Sequence, residues 1–302
     1  MKAEGASDMH RVLSHRPTIA VLVAPGMLLF AAMIFFPTAM SFYYGTTDWS
    51  GIGDYRRIGL DNYIQILFHD PTFWRSLGHA VLLAAATVFL QHPVAIFVAA
   101  VVSNLGRWEK PLRLAMFVPA VISIVVTSKM WAAVFSAQYG LLNRLLDGVG
   151  LSAWKHDWLG DPKTAIWAII FVVMWQGFGY AFLLYYAGLQ RIPDELYEAA
   201  RIDGASTLRL YTRIVVPLLA PVMRVAIVIA VITCLKQMET VFLMTNGGPG
   251  DSTQFLGNYL YTKAFSASQF GYGNALSGLF VLICLAVTIA LNRWLYRDVG
   301  EF

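Results

Sequence analysis

Four long stretches of this chain carry no charged side chain: Pro17 to Thr47, Ala80 to Gly106, Thr164 to Gln190 and Ala264 to Asn292. Each exceeds the ~20 residues that an α-helix needs to cross the hydrocarbon of a bilayer. Two more, Leu114–Phe135 and Val225–Leu243, are apolar apart from isolated charges. Lipid offers no partner to a backbone N–H or C=O, so such runs fold as helices that satisfy themselves. The expectation is an all-α membrane protein with six transmembrane helices. Composition agrees, because 58% of the 302 residues are apolar and only 13% are charged, too few to cover the surface of a soluble domain of this length. The first run is too long for a cleaved leader and lacks a small-residue cleavage site after a short apolar core. It reads as a retained signal anchor.

The net charge of +4 by itself invites a nucleic-acid partner, but its placement argues for topology instead. Thirteen Lys and Arg residues fall in the N-terminus, the second and fourth connections and the C-terminus, against seven in the alternate connections. Positive charge marks the cytoplasmic side, so both termini are expected inside, with membrane lipid and no nucleic acid among the partners. Cys234 and Cys284 lie within spans and suggest neither a disulfide nor a metal site. The chain contains no G-x-x-x-x-G-K-[ST], H-E-x-x-H or G-x-S-x-G, so it offers no phosphate-cradling loop, zinc-protease helix or nucleophile elbow. It is not expected to be an enzyme.

The largest cytoplasmic connection, Arg191–Pro221, has clear helix punctuation. Pro193 suits a first turn, and Asp194 and Glu195 suit the positive end of a helix dipole. Leu196, Ala199, Ala200 and Ile202 form the body. Gly204 can end that helix in a left-handed conformation, and Ser206 or Thr207 can cap the next. The second helix should run to about Val215, with Pro217 forcing a break. Exposed Arg201, Asp203, Arg209 and Arg213 complete a compact protrusion. On spacing alone, an amphipathic loop at the membrane surface competes equally with a docking element.

The wider pattern favours docking. Glu198-Ala199-Ala200, then Gly204, then Ile214-x2-Pro217-x3-Pro221 resembles the signature loop of binding-protein-dependent ABC importer permeases. A second block, Met244-Thr-Asn-Gly247-Gly248-Pro249 followed by Ser252-Thr253, Tyr259-Leu-Tyr261, Ala264-Phe265 and Gly271-Tyr272, resembles the carbohydrate branch, of the maltose- and glycerol-phosphate first-permease type. Gly59-Leu-Asp-Asn62-Tyr63, Asp70-Pro-x-Phe73-Trp74, Gly140-Leu-Leu-Asn143 and Trp158-Leu-x-Asp161-Pro162 agree. One departure is Met238-Glu239, where the family often has Phe-Asp. The resemblance implies a type I ABC importer permease architecture, with a cytoplasmic segment over 1–16 and a permease domain over 17–302 whose coupling loop is 191–221. It implies that ATPase subunits engage Glu198, Ala199, Ala200, Arg201, Asp203, Gly204 and Ala205. It also implies a second, distinct permease chain, two ATPase subunits holding ATP and Mg, and an extracytoplasmic solute-binding protein that meets the turn Gly247, Gly248, Pro249. This chain would hold no cofactor or metal. The setting implied is a bacterial or archaeal cell membrane, the inner membrane where there are two.

For the solute path, the clues are charges inside spans. Lys129, Lys236 and Glu239 each cost about 2.5–3.5 kcal/mol at mid-helix, so they are expected to face an interior or a water-filled chamber. Counting ~1.5 Å per residue from the cytoplasmic ends puts all three in the outer half of the bilayer. Lys236 and Glu239 are spaced to pair along one helix face, and Lys129 competes with a snorkelling role. Gln237, Trp175 and Gln176 offer the amides and the aromatic face that a sugar needs, although Trp175 equally suits packing. Asn274 lines the outer mouth or caps the sixth span. Gln91-His92-Pro93 reads as a kinked span with a satisfied polar pair. Two other classes stay open: an ion-coupled secondary transporter built on Lys236 and Glu239, and a membrane-embedded enzyme.

Overall fold

In this computed structural model the chain is described over residues 16–295, and it is helical throughout, with one isolated antiparallel bridge between Thr47 and Arg57. Lys2, Arg11, Arg297 and nearly all of the expected 1–16 segment lie outside the described residues. Among the described residues, four helices are long and apolar enough to cross a membrane: α1 (Thr18–Tyr44), α2 (Pro71–Val102), α6 (Pro162–Leu189) and α12 (Phe270–Trp294). Two bent pairs pass the same test together. They are α3 (Gly106–Val121) with α4 (Ile124–Val134), bent by 93°, and α8 (Thr207–Leu218) with α9 (Ala220–Leu235), bent by 68°. The shorter helices are α5 (Leu141–Gly148), α7 (Asp194–Ile202), α10 (Glu239–Met244) and α11 (Leu256–Tyr261). The six expected spans thus stand as four plain helices and up to two broken ones.

Several boundaries differ from expectation for local reasons. The second span begins at Pro71 rather than Ala80, because Asp70 accepts from Thr72 N (2.9 Å) and Phe73 N (3.2 Å) while Pro71 occupies the first helical position. This is an N-cap, worth ~1 kcal/mol. Asp70→Ala should lower the thermal stability of the purified chain by about that amount, and an unchanged melting curve would remove the cap from the account. The third span is not straight. Ile122 (ψ 134°) and Ser123 (ψ 136°) are extended and part α3 from α4. The fifth breaks at Leu219, not at Pro217, because a wide π turn over Tyr211–Val215 carries the helix past the proline.

The described residues form two compact units, 16–65 with Lys263–Leu279, and Ile66–Thr262 with 280–295. In the first, buried Asn62 donates from Nδ2 to the carbonyls of Gly45 and Thr47, both at 2.9 Å, and so caps the end of α1. Trp49 packs on Phe270 at 5.6 Å, and Gly271 N donates to Trp49 O. In the second, α6 is the central helix and packs mainly on α3 and α2. One core cluster gathers Ala99, Phe182, Tyr185, Leu189, Ala200 and Leu219; another gathers Leu83, Ile169, Val231, Leu235, Val241 and Phe255. Between spans the alternative to this burial is lipid rather than water, so close van der Waals packing of these side chains, and not hydrophobic transfer, holds the helices together. The connection between α4 and α6 is tied by buried Asn143, which donates to His156 O (2.9 Å) and accepts from Trp158 Nε1 (2.8 Å).

Candidate functional site

The protrusion expected at Arg191–Pro221 is present, and its geometry follows from its residues. Pro193, with φ −60° and ψ 140°, stands just before α7, and Asp194 and Glu195 fill the first turn. At the other end Gly204 has φ +73°, Gly204 N donates to Arg201 O (3.0 Å) and Ala205 N donates to Ala200 O (2.9 Å). That pair of bonds is a Schellman cap, and only glycine enters it without a steric penalty. Ser206 caps α8 by accepting from Arg209 N. Ala200 is buried in the first core cluster of the second unit, with Ala205 against it, whereas Glu198, Ala199, Arg201, Asp203 and Gly204 are exposed. The buried alanine roots the helix and the opposite face stays open. Exposed Ile202 and Leu208, 86% and 74% accessible, extend that face with apolar surface.

Inside the spans the candidates separate. Lys236 ends α9, the chain is unwound over Lys236–Met238, and Glu239 begins α10. The two are therefore not on one helix face, no ion pair joins them, and both are exposed, as is Lys129. A transporter that couples an ion through this pair loses its geometric basis. Gln176 donates from Nε2 to Ile122 O at 2.8 Å, so one proton of its amide satisfies the carbonyl left bare at the α3–α4 bend. Trp175 packs edge-on against Trp131 at 5.4 Å. In the first unit, Asn274 accepts from Ser41 Oγ (2.9 Å) and donates to Phe270 O (2.8 Å), which makes it a tie within that unit.

Gln237 fares differently. It is buried at the unwound break, and its Nε2 makes no hydrogen bond within the protein. On α4, which packs against α10, the buried hydroxyls of Thr127 and Ser128 and the indole N–H of Trp131 are likewise unpaired within the protein. Buried polar atoms are costly unless something satisfies them, and hydroxyls of a solute or water can do so. The sequence held one clue to this group, small hydroxyl residues immediately before Lys129 in an otherwise apolar segment.

The turn at Gly247 (φ +89°) is rigidly built. The Thr253 hydroxyl donates to Gly248 O at 2.6 Å and accepts from the Thr245 hydroxyl at 2.7 Å, and Thr253 N donates to Gly247 O. A Cβ on Gly247 would lie 2.4 Å from Gln254 Oε1. Nearby, Tyr259 donates to Asp70 at 2.5 Å and His79 Nδ1 meets Gln254 O at 2.8 Å, so the turn is fastened to the start of α2.

His92 is the polar centre that periodicity did not place. Its Nδ1 meets Tyr185 Oη at 2.5 Å, while Nε2 makes no hydrogen bond within the protein, so the pair expected at Gln91-His92 is formed across helices and only half satisfied. Tyr185→Phe should destabilise the chain by about 1–3 kcal/mol, the cost of stranding a buried imidazole nitrogen. A variant that melts at the unaltered temperature would show the bond to be dispensable.

The comparisons with known proteins concern nearly the whole chain. The family model for the binding-protein-dependent transport system inner membrane component matches residues 91–301. A probable ABC transporter permease of Pyrococcus horikoshii is 36% identical over 282 residues, covering 93% of this chain and 96% of that one. The sulfoquinovosyl glycerol transport system permease of Agrobacterium fabrum is 33% identical over 288 residues, covering 93% and 91%. Among solved structures, a chain of a bacterial alginate ABC transporter, in complex with a periplasmic protein that carries an alginate pentasaccharide, superposes with a TM-score of 0.79 at 21% identity. The match covers 95% of each chain and supports the fold. With the matched region containing both the rooted α7–Gly204–α8 protrusion and the broken spans, this chain belongs to the binding-protein-dependent transport system inner membrane components, the permeases of ABC importers.

Proposed function

We propose that this chain is the transmembrane permease of a sugar ABC importer, forming half of the pathway for a sugar, polyol or oligosaccharide. The observation that carries the reading is the α7–Gly204–α8 protrusion: rooted through Ala200 in the core, capped by glycine and exposed on its other face, within a chain of the importer permease family. The sugar class is supported by the relative that carries sulfoquinovosyl glycerol and by the structural neighbour that handles alginate.

In this reading Glu198 to Ala205 dock onto separate ATPase subunits, which hold ATP and Mg, and ATP hydrolysis belongs to them. Both termini and the 191–221 loop face the cytoplasm. A second, distinct permease completes the pathway across the cell membrane. A binding protein delivers solute at the outer face, where the Gly247-Gly248-Pro249 turn meets it. Gln237, with the Thr127 and Ser128 hydroxyls, supplies hydrogen bonds to a passing hydroxylated solute. The 68° bend between α8 and α9 gives docked motion a lever into a span.

Affinity capture of the tagged chain from its native membranes, in detergent that preserves complexes, tests this directly. An ATPase, a second permease and a binding protein that retains a sugar are expected in the eluate. Capture of the intact chain with no ATPase would overturn the importer reading.

A further inference from the structure

A polar cavity of about 510 Å³ opens in the second unit at the root of α7. Ser103 and Asn104, at the end of α2, form one wall. Arg191 ahead of α7, with Asp194, Glu198 and Arg201 on it, forms the facing wall, and Tyr197 and Tyr211 line the space between them. None of these residues is assigned to solute, and only Glu198 and Arg201 belong to the docking surface.

The lining defines a ligand class. Its two guanidiniums and two carboxylates cancel, and no ion pair joins any of the four. A phosphate or carboxylate ligand would gain no net attraction there, and an apolar one would bury polar groups without partners. Asn104 donates from Nδ2 to Tyr211 Oη at 3.0 Å, which leaves the phenol proton of Tyr211 available to donate. Tyr197 is half-buried, and burial, then the neighbouring Tyr211 and Asp194, raise its phenol above the ordinary value, so it stays a neutral donor at physiological pH. Carboxylates that accept, guanidiniums and phenols that donate, and aromatic faces at the sides suit adjacent hydroxyls on a compact ring or chain.

We propose that this cavity binds a neutral, hydroxyl-rich small molecule of the sugar or polyol class at the cytoplasmic face, and that binding restrains the coupling protrusion. The placement at the cytoplasm rests on the importer reading; the site itself does not. A ligand bridging the Asn104 wall and α7 ties the end of α2 to the helix that has to move with the motor, so an accumulated sugar would slow its own import. The same chemistry could come from imported sugar or from a free cytosolic polyol.

Hydrogen exchange on the full chain in nanodiscs, with maltose, xylose or glycerol at millimolar concentration, tests binding without any ATPase present. Slower exchange confined to residues 103–104 and 190–201 is expected with at least one of the three. It should disappear in Ser103→Phe, which fills the cavity, and weaken in Asn104→Ala. Protection by glycerol alone assigns the ligand to the free polyols, and protection by maltose or xylose assigns it to sugars. No protection by any of them, or protection of these segments only when the ATPase subunit is added, overturns the proposal and in the second case gives the cavity to the motor. In proteoliposomes of the whole complex, the protecting compound loaded in the lumen with ATP should slow binding-protein-stimulated hydrolysis roughly fivefold or more. Unchanged hydrolysis beside intact binding would overturn the restraint. A complex whose hydrolysis ignores the binding protein would instead indict the importer reading and leave the exchange result standing.

Discussion

Gly204→Val is expected to abolish ATPase co-purification and ATP-driven uptake while the chain still inserts and folds. Nothing lies within 4 Å of the position a Cβ would take, so there is room for the side chain. The penalty is in the backbone: φ is +73°, where an L-residue costs roughly 1–2 kcal/mol and a β-branched one more. Relief requires opening the cap, which breaks the bonds from Ala205 N to Ala200 O and from Gly204 N to Arg201 O and changes the angle between α7 and α8. The global fold tolerates a loss of that size; a docking element whose two helices must present one surface does not. Gly204→Ala should fall between the two. Full uptake by the valine variant, at normal abundance in the membrane, would show that the angle set by this glycine is irrelevant to coupling.

Gly179→Val should have a large effect on stability. A Cβ at Gly179 would lie 2.9 Å from Met116 O, 3.0 Å from Ala120 Cβ and 3.1 Å from Phe117 Cα, so the obstacle is mainly the backbone of α3 and cannot rotate away. The central contact between α6 and α3 would have to separate, at a cost of about 1–3 kcal/mol or more. Gly188→Ala, on the same helix, meets Leu219 Cδ2 at 2.8 Å and Val222 Cγ2 at 3.2 Å, both ends of side chains that can turn aside. A much smaller fall in melting temperature is expected there. Equal losses at the two positions would mean that backbone approach is not what limits α6.

The sequence announced this architecture because lipid leaves little choice: an uncharged run of span length becomes a helix, and α6 was placed to within two residues at its start and one at its end. The protrusion was legible for a different reason. Glycine, proline and capping hydroxyls at Pro193, Gly204 and Ser206 act through local backbone geometry, which short windows capture. The bends were not legible. Ile122 and Ser123 look like any other residues of an apolar run, and what sustains their extended conformation is Gln176, more than fifty positions away. The unwinding at Lys236–Met238 likewise defeated the spacing that promised a Lys236–Glu239 pair, since the rule assumes a continuous helix. Asn274 and Gln176 had residue types fit for solute, but their partners are backbone and a neighbouring serine, and composition cannot tell a hydrogen bond spent on structure from one kept for function. The family resemblance, by contrast, reached Asn62 and Asn143 without revealing why they recur. Each ties a connection to the carbonyls around it.

Three of the described π turns, at Ala31–Phe35, Thr87–Gln91 and Tyr211–Val215, run on into α-helix and end two residues before a proline: Pro37, Pro93 and Pro217. A π turn holds one residue more than the α turn it replaces, so the two halves of such a helix are out of phase by ~100°. These positions therefore count residues rather than read them. Exchanging one apolar side chain for another within Thr87–Gln91 leaves the count intact, whereas deleting one residue would rotate everything beyond it. His92 would then turn from Tyr185 toward lipid, and the far end of α2 would present a different stripe to α6. In these segments, chain length is the quantity on which the fold depends, and a single-residue gap is a larger change than several substitutions.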